Sequence, residues 1–252
     1  MCPSEVCRAV FAVARGCASS AWIVGLCFAN LMMVGKFSDR AQAEVFGGPA
    51  APIVPMLTGG VGRDIVARPT QGGVVLSGTW RYASGIDVAS WVGLLVPVPE
   101  GEGAPRPVLM LVPQTAFTID PDSWNVLGMR GTGSKTVHLA ETFVPEHRFM
   151  DWAALQAGGR HPDCSNDGPL ARYPLNPVFA LSVAAPTFGV AAAVADSFAG
   201  TVHGRVRAGT GQAQAGDRVA QISVASARAV AELVCEGLVT GARAFSRRVA
   251  EG

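Results

Sequence analysis

The chain has 252 residues, 49% of them hydrophobic and 15% charged. That is enough apolar material for one large domain or two smaller ones, and too much for a disordered tail. A formal charge of +1 gives no broad field to attract nucleic acid or an anionic membrane surface. Arg far outnumbers Lys, which occurs only as Lys36 and Lys135, and beside so much Ala and Gly this reads as coding bias rather than as an anion-binding design.

In chain order, residues 4–46 read as helical and end at Gly47-Gly48-Pro49, a strong stop signal. Within them the apolar run from Cys17 to Gly35 has the length of a membrane span. Arg8 and Arg15 precede it, and Ala41-Gln42-Ala43 mimics a signal-peptidase site. Against export, Phe11-Ala12-Val13 make the leading segment itself apolar, and Ser19, Ser20 and Asn30 interrupt the run. Its small residues, Ala18, Ala21, Gly25 and Ala29, suit close helix packing, so the segment reads as a buried helix. Residues 50–150 are richer in Val, Thr and aromatics and are punctuated by Pro and Gly. Strands are expected at 74–76, Trp91 to Val98, Val108 to Val112 and Thr136 to Leu139, with a turn over Gly101 to Pro107. From about residue 170 the chain is helical again. Pro186 should start or kink a helix, and Val219, Ile222, Ser226, Ala229, Val230, Leu233 and Val234 share one helical face. Helix, sheet, helix is an α+β order rather than a βαβ alternation.

The six cysteines, Cys2, Cys7, Cys17, Cys27, Cys164 and Cys235, form no CxxC pair and suggest neither zinc nor a disulfide framework. His161, Asp163 and Cys164 lie close together but have no second ligand cluster, so no metal is expected.

Two segments carry chemistry. One is Leu76-Ser77-Gly78-Thr79-Trp80-Arg81-Tyr82-Ala83-Ser84-Gly85. The other is Trp124-Asn125-Val126-Leu127-Gly128-Met129-Arg130-Gly131-Thr132-Gly133-Ser134, followed by Val144-Pro145-Glu146. Trp80, Tyr82 and Trp91 at strand spacing fit barrel core on their own, and Gly131 to Ser134 fits a hairpin turn. Clustered Ser and Gly also let a backbone approach a planar ligand and supply a hydrogen bond beside it. With Ala21-Trp22 and 41–47 in the same order, these segments resemble the oxygenase component of two-component flavin-dependent monooxygenases of the acyl-CoA dehydrogenase superfamily.

The resemblance implies an α+β fold: the end of an N-terminal α-helical domain over 1–48, a β-barrel flavin-binding domain over 49–150, and a partial C-terminal helical bundle over 151–252. It also implies that the chain is cut short at both ends. The implied chemistry is hydroxylation of an aromatic or polyketide-like small molecule by dioxygen through a flavin C4a-hydroperoxide, using reduced FMN or FAD from a separate flavin reductase. The protein would be a cytoplasmic homotetramer without nucleic-acid or membrane partners. In this reading Tyr82, Ala83 and Ser84 line the isoalloxazine, with Ser84 at N5. Trp22 and Trp80 wall the pocket, and Thr58, in Thr58-Gly59-Gly60, reaches the pyrimidine edge. Asn30 stands where several members carry a histidine that deprotonates the substrate; an amide holds a hydroxyl but is no base. Two alternatives stay open. An acyl-CoA dehydrogenase would need a carboxylate base such as Glu232 or Glu236, and a truncated homologue would be inactive.

Overall fold

The computed structural model describes residues 2–59, 62–101 and 103–251. They form helices α1 (Pro3–Gly16), α2 (Ala18–Val34), α3 (Asp39–Phe46), α4 (Trp152–Gln156), α5 (Leu175–Gly204) and α6 (Arg218–Glu251). The strands are β1 (Met56–Leu57), β2 (Gly62–Thr70), β3 (Gly73–Ala83), β4 (Trp91–Val98), β5 (Arg106–Pro113), β6 (Thr118–Asp120), β7 (Lys135–Pro145) and β8 (Phe149–Asp151). The helix, sheet, helix order read from the sequence is therefore observed. The predicted first helical stretch is three helices, because a turn at Gly35-Lys36 and an N-cap at Ser38, whose Oγ accepts from Ala41 N at 3.1 Å, restart the chain. Backbone contacts divide the chain into two compact units: residues through Gly25 together with Ala180 onward, and Leu26–Phe179.

The second of these units is built on two four-stranded sheets, ordered β1-β4-β5-β8 and β2-β3-β7-β6. Among the described residues no ladder joins the sheets, so the strands lie as two sheets around one core rather than as a hydrogen-bonded barrel. Alternation explains the core. Val74, Leu76, Trp80, Val137, Leu139 and Val144 from one sheet, and Val92, Leu94, Val96, Val108, Met110 and Val112 from the other, form a single buried cluster. The predicted strand at Trp91 to Val98 is β4, and it pairs with β5 from Trp91 opposite Pro113 to Val98 opposite Arg106, closing the expected turn. β3 and β7 run well beyond their predicted cores and pair from Gly73 opposite Pro145 to Ala83 opposite Lys135. Val144-Pro145-Glu146 is the exit of β7, held by Glu146 N donating to Gly72 O at 3.0 Å.

Polar clamps tie the segments flanking these sheets. Lys36 is fully buried; its Nζ donates to Gly158 O at 3.1 Å, and its carbonyl accepts from His161 N at 2.8 Å. Burial, then the nearby charge of Arg160, lowers the Lys36 pKa. Cys164 and Asn166 both donate to Gly35 O, and His161 Nδ1 accepts from Asp163 N. The His161-Asp163-Cys164 group is thus used in local structure, and no metal-binding group was found among the described residues.

The other unit packs helices through small residues. On α1 the buried face is Val6, Cys7, Val10 and Ala14; on α6 it is Ala220, Ala231, Cys235, Val239 and Ala242. A methyl group on Gly189 of α5 would sit 2.4 Å from Phe11 O, so only glycine allows that approach. α5 runs continuously through Pro186 instead of starting there. Proline cannot donate to the carbonyl four residues back, Ser182 O, and that carbonyl packs against Gly25, where an added Cβ would lie only 2.5 Å away. The face predicted to be apolar on α6 is apolar but exposed in this chain, with Val219, Ile222, Val230 and Leu233 all at least 59% accessible. Burial went instead to the Ala and Cys seam, where backbones approach more closely. Among the described residues α5 is the one helix long and apolar enough to cross a membrane.

Candidate functional site

The two chemistry-bearing segments meet at the end of β3. The register between β3 and β7 slips between Trp80 and Ala83, and the extra residue of the bulge turns Tyr82 outward with a positive φ of 66°. A non-glycine residue there carries backbone strain. Across from it Met129 also has a positive φ, 58°, and opens the short turn Arg130–Thr132. Gly85 N donates to Thr132 O at 2.7 Å and joins the two turns. Gly133, at φ 49°, has no room for a side chain, since a Cβ would meet Asp87 Oδ2 at 2.7 Å. Asp87 is held in turn by Lys135 Nζ at 2.8 Å.

The fates of the predicted residues differ. Tyr82 is 61% exposed, and its ring meets Trp124 edge-on with centroids 6.4 Å apart. Ser84 is partly buried, with its Oγ 2.8 Å from Ser134 Oγ. Trp80 and Ala83 are completely enclosed. Trp80 is in the core cluster with its Nε1 donating to Leu95 O at 3.4 Å, so neither side chain offers surface to a ligand. Thr58 follows β1 and is half-buried; Gly60 of its loop lies outside the described residues. Asn30, on α2, is buried with Nδ2 donating to Val54 O at 2.9 Å. Trp22, also on α2, belongs to the helical unit and is half-buried. Glu236 pairs with Arg8 at 2.8 Å on an exposed surface and Glu232 is exposed, as expected of a solvated helix face.

Two features were not assigned from sequence. Trp124 Nε1 is buried without a hydrogen-bond partner, a costly state for an indole N–H. Thr132 and Ser134, 3% and 5% exposed, form a hydroxyl chain with Ser84: Thr132 Oγ1 lies 2.7 Å from Ser134 Oγ and donates to Met129 O at 2.9 Å. Their presence in a quoted motif was visible; the contacts depend on the register of β7 against β3. A separate cleft of about 400 Å³, lined by Thr118, His138, Leu139 and Thr142 among others, contains none of the predicted site residues.

The site suits a planar ligand with both kinds of hydrogen-bonding edge. An exposed aromatic ring offers a stacking surface, Trp124 Nε1 needs a carbonyl, and the Ser84 hydroxyl can meet a ring nitrogen. An isoalloxazine has these features.

Comparison with known proteins identifies the relatives, although no family model matches the chain. The chain is 33% identical, over 99% of its length, to the oxygenase component of an FADH2-dependent resorcinol hydroxylase from Rhizobium sp. strain MTP-10005, and covers 62% of that protein. It is 32% identical, over 87% of its length, to the flavin-dependent monooxygenase oxygenase subunit HsaA of Rhodococcus jostii RHA1, and covers 56% of that subunit. The chain is a homologue of flavin-dependent monooxygenase oxygenase components. Its fold agrees with theirs. The crystal structure of HsaA from M. tuberculosis matches all of this chain with a TM-score of 0.86 at 26% identity, 64% of that structure being covered. XiaF from Streptomyces sp., solved with FADH2 and glycerol, matches with a TM-score of 0.86 at 25% identity over all of this chain and 63% of its own. This oxygenase-component homologue therefore spans less than two thirds of the length of these relatives.

Proposed function

We propose that this chain is a reduced-flavin-dependent monooxygenase that hydroxylates an aromatic or polyketide-like small molecule. It would take reduced FMN or FAD from a separate reductase and use dioxygen as co-substrate. When bound, the reduced flavin supplies the electrons that activate dioxygen for insertion of one oxygen atom. The observation that supports this most strongly is the end of β3. There a strained, exposed Tyr82, the unpartnered Trp124 N–H and the Ser84 hydroxyl come together in a chain homologous to flavin-dependent oxygenases.

In this reading Tyr82 packs on the ring, Ser84 meets its N5 edge and Trp124 holds a ring carbonyl. Trp80 and Ala83 act from behind, keeping the bulge rigid, while Thr58 completes the binding surface. Asn30, its amide anchored on Val54 O, orients a substrate hydroxyl without taking its proton. The exposed apolar face of α6 supports assembly into a homo-oligomer, proposed to be a tetramer. A cytoplasmic location fits the same reading.

Anaerobic titration with reduced FMN and reduced FAD tests the proposal, followed by dioxygen in the presence of a panel of phenols. Saturable binding and a product heavier by one oxygen atom are expected. Failure to bind either reduced flavin overturns the proposal, and bleaching of bound oxidised flavin by an acyl-CoA would replace it with a dehydrogenase.

A further inference from the structure

The sheet that carries β3 has an opening along the side of β7 that faces β6. β6 follows β7 for three pairs only, ending at Thr118 opposite His138. The chain before β6 is tied to β7 once more, where Thr142 Oγ1 donates to Ala116 O at 3.1 Å. Between these two ties lies one residue on the β6 side, Phe117, against three on β7, Leu139 to Glu141. Part of the excess goes into a bulge toward β3, where Ala140 and Glu141 stand opposite the single Ser77. Ser77 Oγ accepts from Glu141 N at 2.9 Å, and Glu141 has a positive φ of 46°. The unequal lengths keep the two segments apart and leave the cleft of about 400 Å³, a volume in the range of small-molecule sites.

The lining selects a kind of ligand. Phe117 and Leu139 give the cleft an apolar wall, and His138 gives it an imidazole. His138 is half-buried, and its Nδ1 lies 2.9 Å from the Oγ1 of Thr79, the residue opposite it on β3. That contact holds the ring and leaves Nε2 for a ligand. The Thr79 hydroxyl can turn either way, so Nε2 carries a hydrogen or a lone pair as the ligand requires. Among the described residues no carboxylate, amide or guanidinium lines the cleft. An ion would find no counter-charge there, and a sugar would find no forked group to satisfy adjacent hydroxyls. We propose that the cleft is a small-molecule site distinct from the end of β3. It takes a neutral aromatic molecule whose hydroxyl meets His138 Nε2 and whose ring packs on Phe117 and Leu139. It shares no residue with the end of β3, so it does not depend on the flavin reading of that region.

Protection of His138 in the full chain tests the site, with phenol as the probe. Diethyl pyrocarbonate acylates a neutral, accessible imidazole nitrogen, and peptide mass mapping reads each histidine separately. Phenol should slow the modification of His138 saturably and leave that of His203, on α5, unchanged. The midpoint of protection should lie at least about fivefold lower for phenol than for benzene, the worth of one hydrogen bond, and glucose should not protect. Thr79→Val keeps the shape of the side chain and removes the hydroxyl that holds the His138 ring. It should raise the phenol midpoint toward that of benzene and leave the benzene midpoint where it was. The comparison of phenol, benzene and glucose on the unsubstituted protein decides the matter even if that variant fails to fold. The inference is overturned if His138 is not modified in the free protein, or is modified equally with and without phenol. It is also overturned by equal midpoints for phenol and benzene, by protection with glucose, or by a folded Thr79→Val variant with an unchanged phenol midpoint. Each of these results leaves the monooxygenase reading standing, because binding of reduced flavin is measured separately.

Discussion

Trp80 and Tyr82 lie two residues apart on β3 and have opposite environments. Trp80 ends the stretch of β3 that fills the space between the sheets and has no exposed surface. Tyr82 is turned out of the sheet by the bulge, before Ala83 returns to the core: it is 61% exposed, has a positive φ, and lies beside an unpartnered N–H. The bulge between them separates a part of the strand that makes stability from a part that spends it. A single sequence motif thus contains two regions with different tasks, and aromatic character alone does not say which residue belongs to which.

That separation makes a strong claim about substitutions. Trp80→Ala should cost the most, about 3–5 kcal/mol of folding stability, because a large side chain leaves an enclosed site with few ways to collapse. Urea denaturation measures it; a loss below about 1 kcal/mol would mean that the core half of β3 is not what holds the sheets together. Tyr82→Ala is the counterpart. Alanine keeps a Cβ at the strained φ, so the backbone cost is unchanged, and little buried surface is lost. Stability should stay within about 1 kcal/mol, while affinity for reduced FMN drops about tenfold as the stacking surface disappears, a change of about 1.4 kcal/mol. If the two variants exchanged phenotypes, the comparison would be reversed.

Much of the first region was legible in the sequence, and little of the second. Short apolar runs punctuated by Pro and Gly located β4 to the residue, and Val108 to Val112 anchored β5, because a strand buried on both faces reads as an unbroken apolar run. β2 was not predicted: Arg63, Asp64, Arg68 and Pro69 give it the look of a loop, which an edge strand tolerates. The exposed face of α6 looked like a core stripe because periodicity reports an apolar face without saying what covers it. At the site, Tyr82 and Ser84 stood out through the family resemblance. The Ser84, Ser134 and Thr132 contacts did not, since they are set by the pairing of Ala83 with Lys135 across two distant strands.

Trp124 sharpens the comparison at a smaller magnitude. Its Nε1 is buried without a partner, so Trp124→Phe removes a desolvated donor while keeping a ring against Tyr82. The variant should be more stable by up to about 1 kcal/mol and bind reduced FMN several-fold more weakly. A group whose loss helps folding and harms binding belongs to the second region. If Trp124→Phe were destabilising and bound flavin normally, Trp124 would have to be moved to the first.

The mildest probe leaves both regions untouched and titrates a brace beside them. Glu44 on α3 accepts from His147 Nε2 at 2.9 Å and Arg148 Nε at 2.6 Å, and the Arg148 guanidinium lies 5.0 Å from the centre of the Trp91 ring. Burial pushes the Glu44 carboxyl up, but the hydrogen bonds and charges of Arg148 and His147 more than offset it, so its pKa is lowered. A carboxyl lowered on folding contributes stability that is present above its unfolded pKa and is lost as pH falls through the folded one. The stability difference between the unsubstituted protein and Glu44→Gln should therefore be constant near neutrality and shrink below about pH 4. It should remain under about 1 kcal/mol, as for a partly exposed pair. Because the brace holds α3 rather than the end of β3, the affinity for reduced FMN at neutral pH should be the same in both proteins. A change in affinity with no change in acid stability would show that the ligand region extends through Arg148 and Trp91 into the frame, and that the boundary drawn at the β3 bulge lies in the wrong place.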